Sequence, residues 1–339
     1  MPEWVVAFVL FYFAFGFLYP AGFFLARRAV FHPLKVPNVY LYSFVIHIHS
    51  QFSYDSLGKP EDIERAMRQE DIDFAIVTDH DVEYISAFVS SKVYAGVEKK
   101  LHDNSGVLIG SLLKAGPLKV VAHPFRGRWK ELPDGAFVEI VDLKDALKER
   151  LSLLLFLLPF LLSVLIFSRE LFRNTLLRLI DLRGLVRRYQ SLGFNARLIG
   201  GLDHHVKVYI REVGIRFLFP NYRDSFAMLK NVAVCKDKVS SASELLEAIK
   251  DGASVGIVFG KELPLWWVED GFIKLLTPRH CLLEVRHPEG VEHIEGSFFE
   301  LGHKECMLLG YTYKVRFWRF YFGLMPMFLI ECTASREGR

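Results

Sequence analysis

Two apolar runs in this chain stop on metal-binding side chains, and a fold that contains both must place their ends. Val39 to Ile48 is rich in β-branched and aromatic residues and reads as a strand, with His47 near its end and His49 just beyond. Strand side chains repeat every second residue, so His47 and His49 are expected on one face. Two neutral imidazoles on one face begin a divalent-metal site. Taken alone, a His-x-His also describes an ordinary strand end. The second run, Phe74-Ala75-Ile76-Val77, favours a site because it leads into Asp79-His80-Asp81. In α/β folds, catalytic groups gather where strands end.

More strands of this kind follow. Val93 to Val97 ends in Glu98, Lys119 to Ala122 ends in His123-Pro124, and Arg197 to Gly201 leads to Asp203-His204-His205. Glu98 is either a ligand or a surface glutamate. Arg126 and Arg128 follow His123; guanidinium forks suit phosphate at the mouth of a metal site, although solvated loop charges read the same way. Lys59-Pro60-Glu61-Asp62 opens a helix, with proline early and acids in the first turn.

The segments from HIHSQFSYDS to IVTDHD, together with Ala122-His123-Pro124 and Gly200-Gly201-Leu202-Asp203-His204-His205, resemble the PHP (polymerase and histidinol phosphatase) metallophosphoesterases, in family order. The resemblance spans about residues 38–260. It implies a distorted (β/α)7-type barrel that binds two or three divalent ions, manganese, iron or zinc. It assigns His47, His49, Glu98 and Asp203 to one ion, Glu98 and His123 to a second, and Asp55, His80 and His205 to another. Glu98 would bridge two ions. Asp79 would brace a ligand through a hydrogen bond, Arg126 would bind phosphate, and His204, standing where the family has alanine, could reach substrate. Glu139 is expected to support structure. One departure matters: the family's further histidine is missing from Gly106-Val107-Leu108-Ile109-Gly110, which favours two tightly held ions and a weaker third.

The chain of 339 residues can hold one barrel-sized domain and a smaller partner. Its hydrophobic content of 51% is high for a soluble enzyme and points to membrane contact. A formal net charge of +3 is too small to imply nucleic acid, and the scattered cysteines give neither a disulfide framework nor a cysteine zinc site. Trp4 to Ala26 carries no charged side chain and is followed by Arg27 and Arg28. It reads as an uncleaved transmembrane anchor (residues 1–30) with the arginines in the cytoplasm.

A second uncharged run, Leu151 to Phe167, is 17 residues long. His123 lies before it and Asp203 and His205 after it. If these share a site, both flanks lie on one side, and a single crossing is excluded. Pro159 at its middle predicts a helix–break–helix that dips into the near leaflet, or a helix lying at the interface; the alternative is a hydrophobic hairpin used as an oligomer contact. Leu171 to Tyr189 is expected to continue as one helix with a basic face toward lipid. The insertion covers about residues 143–190. From about residue 261 to 339, short alternating stretches predict a small β domain, read as a sandwich.

The expectation is an α/β, membrane-anchored, metal-dependent phosphoesterase at the cytoplasmic face of the cell's inner membrane, with a phosphoester substrate, lipid contact and no specific nucleic acid. The competing class is a non-catalytic metal-binding membrane adaptor built on the same barrel.

Overall fold

The computed structural model describes residues 2–21, 36–212, 215–302, 306–318 and 320–332. In chain order, helix α1 (Glu3–Ala21) precedes β1 (Tyr40–Ile48), α2 (Pro60–Gln69), β2 (Phe74–His80), β3 (Val93–His102), β4 (Leu108–Ala115), β5 (Leu118–Ala122) and β6 (Phe137–Asp142). Four helices follow: α3 (Leu143–Lys148), α4 (Leu151–Phe167), α5 (Arg169–Leu177) and α6 (Leu182–Leu192). Then come β7 (Leu198–Gly201), the hairpin β8 (Val208–Glu212) and β9 (Ile215–Phe219), α7 (Tyr222–Met228), β10 (Leu229–Cys235), α8 (Ala242–Lys250) and β11 (Ser254–Phe259). The C-terminal part holds β12 (Leu265–Glu269), β13 (Phe272–His287), β14 (Gly290–Gly302), β15 (Cys306–Thr312), β16 (Val315–Phe317), β17 (Phe320–Phe322) and β18 (Met325–Cys332).

One large mixed sheet organises the α/β fold, in the order β12-β13-β15-β18-β11-β10-β1-β2-β3-β4-β5-β6-β7, with β14 paired to β13. β1, β2 and β3 run parallel, as do β5, β6 and β7; β4 is antiparallel to both its neighbours. The segment after β7 returns to β1. Leu202 N donates to Ile46 O at 3.1 Å, His204 N to His47 O at 3.2 Å, and His49 N to His204 O at 3.0 Å. Asn231 on β10 helps to close the seam, its amide bonding both Gly200 N (2.8 Å) and Gly200 O (2.7 Å). An added Cβ at Gly201 would stand 1.6 Å from Glu139 Oε1, so glycine is required where β7 meets β6.

Burial follows from the two faces of this sheet. Phe44, Ile46, Phe74, Ile76, Val120, Phe137 and Ile199 gather on α8 through Leu245, Leu246 and Ile249. The other face packs Val45, Ile48, Val77, Val121 and Val138 against α2, α6 and α7.

Several expectations are corrected. β3, β4 and β5 form an antiparallel meander without intervening α-helices, which breaks a simple β/α alternation. The C-terminal strands continue the main sheet through β11–β18 pairing rather than forming a detached sandwich. Helix α4 runs unbroken through Pro159. The break falls at Ser168, whose hydroxyl caps α5 by accepting from Leu171 N. Leu171 to Tyr189 is not one helix, because α5 stops and Asp181 starts α6 by accepting from Gly184 N. Its basic face is largely occupied within the protein: Arg173 meets Asp224 at 2.8 Å, Arg183 meets Glu284 at 2.6 Å, and Arg188 meets Glu149 at 2.5 Å.

Among the described residues, no helix is long and apolar enough to cross a membrane. The expected anchor is described as α1 up to Ala21; residues 22–35, including Arg27 and Arg28, lie outside the described residues. α1 and α4 touch: Tyr12 OH donates to Phe156 O, and the two rings meet edge-on at 5.3 Å. Both helices expose large apolar side chains, including Trp4, Phe8, Leu10 and Phe11 on α1 and Leu151, Leu155 and Phe156 on α4.

Candidate metal centre

The strand ends converge at the β1–β7 seam, and all of the expected ligands meet there. Glu98 Oε2 lies 3.2 Å from His47 Nε2, 3.3 Å from His49 Nε2 and 3.6 Å from His80 Nδ1. Asp203 Oδ1 lies 3.7 Å from both His47 Nε2 and His49 Nε2, and 3.2 Å from His205 Nδ1. Asp55 completes a neighbouring group, 2.8 Å from His205 Nε2 and 3.7 Å from His80 Nε2. His123 Nε2 approaches Asp203 Oδ2 at 3.9 Å. Among the described residues, four overlapping groups are close enough to hold an ion: His49, Asp55, His80 and His205; His47, His49 and Asp203; His47, His123 and Asp142; and His123, Asp142, Asp145 and Asp203.

Alternation along β1 does not create this arrangement. His47 sits at φ 63°, and the β1–β2 register slips between Ile46 and Ile48. As a result Ile46 joins the core beneath α8 while Ile48 joins the opposite one. A bulge re-aims a side chain in this way. His123 (φ 48°) and Asp203 (φ 43°) are also left-handed. Such a conformation costs a non-glycine residue free energy and collects at functional sites, where surrounding contacts hold it in place.

On His47 and His123 the second ring nitrogen has a carboxylate partner. His47 Nδ1 is 2.7 Å from Glu139 Oε1, and His123 Nδ1 is 3.0 Å from both Asp142 Oδ2 and Asp145 Oδ2. This is how metal-binding histidines are usually oriented. Sequence reasoning missed Asp142 and Asp145. The available signal was an acidic residue at the end of the apolar run Phe137 to Val141.

Burial and charge set the proton inventory. Burial alone would lower His47, but Glu139 and Glu98 hold it well above the usual histidine range. Burial is likewise outweighed at His123 by Asp142 and Asp145, which raise it to about 10. Burial pushes His49 down to about 3 and lowers His205. Although burial opposes its ionisation, the imidazoles of His47 and His49 draw Glu98 far below the carboxylate range. Asp203 is pulled to about 2 against burial by His47, Lys144 and His123. Ionised Glu98 and Asp203 beside neutral His49 and His205 begin the donor set of a divalent ion, whereas His47 and His123 would each release a proton on binding one. His49 Nε2, buried and without a hydrogen bond, is an orphan that such an ion satisfies.

Other expected residues sit around this core. Asp79 accepts from Ser50 N and Ser50 Oγ, both at 2.6 Å, and so braces the chain just after His49. Arg126 stands at the rim, half exposed and 2.5 Å from Asp145 Oδ1. His204 turns away from the cluster: its Nδ1 is 2.8 Å from Ser225 Oγ, and its ring packs on Tyr222 at 4.4 Å. Tyr54, exposed at the mouth, stacks on His80 at 4.8 Å.

No protein-family model matches the chain, and no curated protein matches it. Among solved structures, the chain is similar to a two-domain protein from Bacteroides vulgatus described as containing a predicted PHP-like metal-dependent phosphoesterase. The identity is 10%, the match covers 90% of this chain and 99% of that one, and the TM-score is 0.39. A likeness of that size decides neither fold nor reaction.

Proposed function

We propose that the chain is a metal-dependent phosphoester hydrolase working at a membrane surface. One observation carries the reading: Glu98 Oε2, on β3, lies within 3.6 Å of nitrogens on His47 and His49 at the end of β1 and on His80 at the end of β2. Three imidazole nitrogens converging on one buried carboxylate oxygen is the arrangement a bound divalent ion would use, each nitrogen turning its lone pair to the ion. The motif resemblance supplies the substrate class, and Arg126 at the rim supplies charge suited to phosphate.

Divalent ions held by His47, His49, Asp55, His80, Glu98, His123, Asp203 and His205 would lower the pKa of water and counter charge on the phosphoryl oxygens. The chain's own residues do the rest. Glu139 fixes the His47 tautomer, so that Nε2 faces inward. Asp142 and Asp145 do the same for His123. Asp79 holds Ser50, and with it the exit of β1, in place. Phosphoryl transfer asks for little beyond positioning and positive charge.

The membrane setting is supported by the exposed apolar side chains that α1 and α4 share around the Tyr12–Phe156 contact. His123 and Asp203 meet at 3.9 Å although α4 lies between them in sequence, so both flanks of α4 return to the same side. We take that side to be the cytoplasm.

Turnover of p-nitrophenyl phosphate with added manganese, compared with His47→Ala, tests the reaction. Loss in the variant with retention in the wild type is expected. If both are equally silent across metals and phosphoester types, the non-catalytic adaptor is the better description.

A further inference from the structure

Lys144 is absent from the ligand pattern, yet it enters the centre. It lies on α3, directly after β6, and Asp142 at the end of β6 pairs in register with Gly201 at the end of β7. The first turn of α3 therefore lies beside the segment that carries Asp203. Lys144 Nζ reaches Asp203 Oδ2 at 2.6 Å and His205 Nδ1 at 3.4 Å. Its side chain is still 43% exposed, so the ammonium faces both the cluster and the mouth.

Asp203 is divided by this contact. Oδ1 faces His47, His49 and His205, while Oδ2 faces Lys144 and His123. An ion on Oδ1 leaves the lysine where it is. A further ion joining His123 to Asp203 would have to share Oδ2 with an ammonium already there, and like charges at that range repel. His123, Asp142, Asp145 and Asp203 are close enough to gather around an ion, but Asp203 Oδ2 already carries Lys144 and Asp145 Oδ1 already carries Arg126. Arg126 lies on the other side of His123, held by Asp145, the residue next to Lys144.

We infer that Lys144 replaces an ion on the His123 side of the centre: its ammonium, together with Arg126, receives the non-bridging oxygens of a phosphomonoester, while the bound ions are confined to the His47–His49–Asp203 and Asp55–His80–His205 clusters. Two side-chain cations flanking His123, Lys144 on Asp203 and Arg126 on Asp145, match a doubly charged terminal phosphate better than a singly charged diester. This inference rests on the metal-centre reading above and narrows its substrate class.

The test uses the full chain loaded with manganese, with metal content measured by mass spectrometry and inorganic phosphate binding by calorimetry. The wild type should hold two ions. Lys144→Met should keep both ions but bind phosphate roughly 10- to 100-fold more weakly, the scale of a lost charge-assisted hydrogen bond. Lys144→Arg should restore most of that affinity. Unchanged phosphate affinity in Lys144→Met overturns the inference, and so does a loss of metal, which would make the lysine a support for Asp203. A third ion in the wild type also overturns it. A wild type that binds no metal at all sinks the metal-centre reading itself, a result distinct from any of these.

Discussion

At the scale of single residues, the centre depends on carboxylates that touch no ligand-bearing face. Glu139 is buried, with one oxygen on His47 Nδ1 and the other accepting from His123 N at 3.1 Å. Glu139→Gln should keep the shape and lose the charge, reducing metal affinity by about 10- to 100-fold in a chelator competition titration. Acid should unfold the metal-free protein early. His49 and His204 are each pushed by burial to about 3, below the roughly 6.5 of an unfolded histidine. Between those values the unfolded chain binds protons that the folded chain refuses, so stability falls as pH drops from about 6.5 toward 3. Melting scans across that range should show the decline, and His204→Gln should make it shallower. The ligand histidines were legible because each ends an apolar run. Asp142, Asp145 and Lys144 were not, because their place depends on the register of β6 against β7, which local pattern does not carry.

At the scale of elements, helix ends outweighed intrinsic helix breakers. Pro159 marks the middle of α4 in sequence, yet the helix runs through it unbroken; the side-chain cap at Ser168 sets the boundary instead. Ser168→Ala should cost about 1 kcal/mol in urea unfolding. Helix α7 has the larger effect. Phe226 is fully buried, and neighbouring Tyr222 donates from its hydroxyl to His49 O at 2.7 Å. Phe226→Ala should destabilise by about 3–5 kcal/mol and loosen the exit of β1 with it. The pair α1–α4 makes a separate prediction. Leu155→Asp with Phe156→Asp should weaken flotation of the protein with phospholipid vesicles and leave p-nitrophenyl phosphate turnover intact. The apolarity of these helices was plain from sequence; their contact through Tyr12 and Phe156 was not, since nothing local pairs residues so far apart.

At the scale of the whole molecule, a boundary near residue 260 is a change of sequence texture rather than a structural division. β11 pairs with β18, and Leu282, Leu309 and Leu329 pack in the same core as Val45, Ile48 and Val138. Alternating short strands announce β structure, but they do not say which edge they join. A chain cut at residue 260 exposes the β11 edge and removes those leucines. It should be insoluble or lack a cooperative melting transition, whereas the complete chain should melt as one unit.

The path of α4 also orders events in time. A ribosome delivers His47, His49, Asp55, His80, Glu98 and His123 well before Asp203 and His205, and the apolar helix emerges in between. If the centre holds ions, its full set of side chains comes together only after that helix has emerged and the segment carrying Asp203 and His205 has returned to β1. Newly made protein passes through a stage in which six of these eight side chains are present and Asp203 and His205 are still to come.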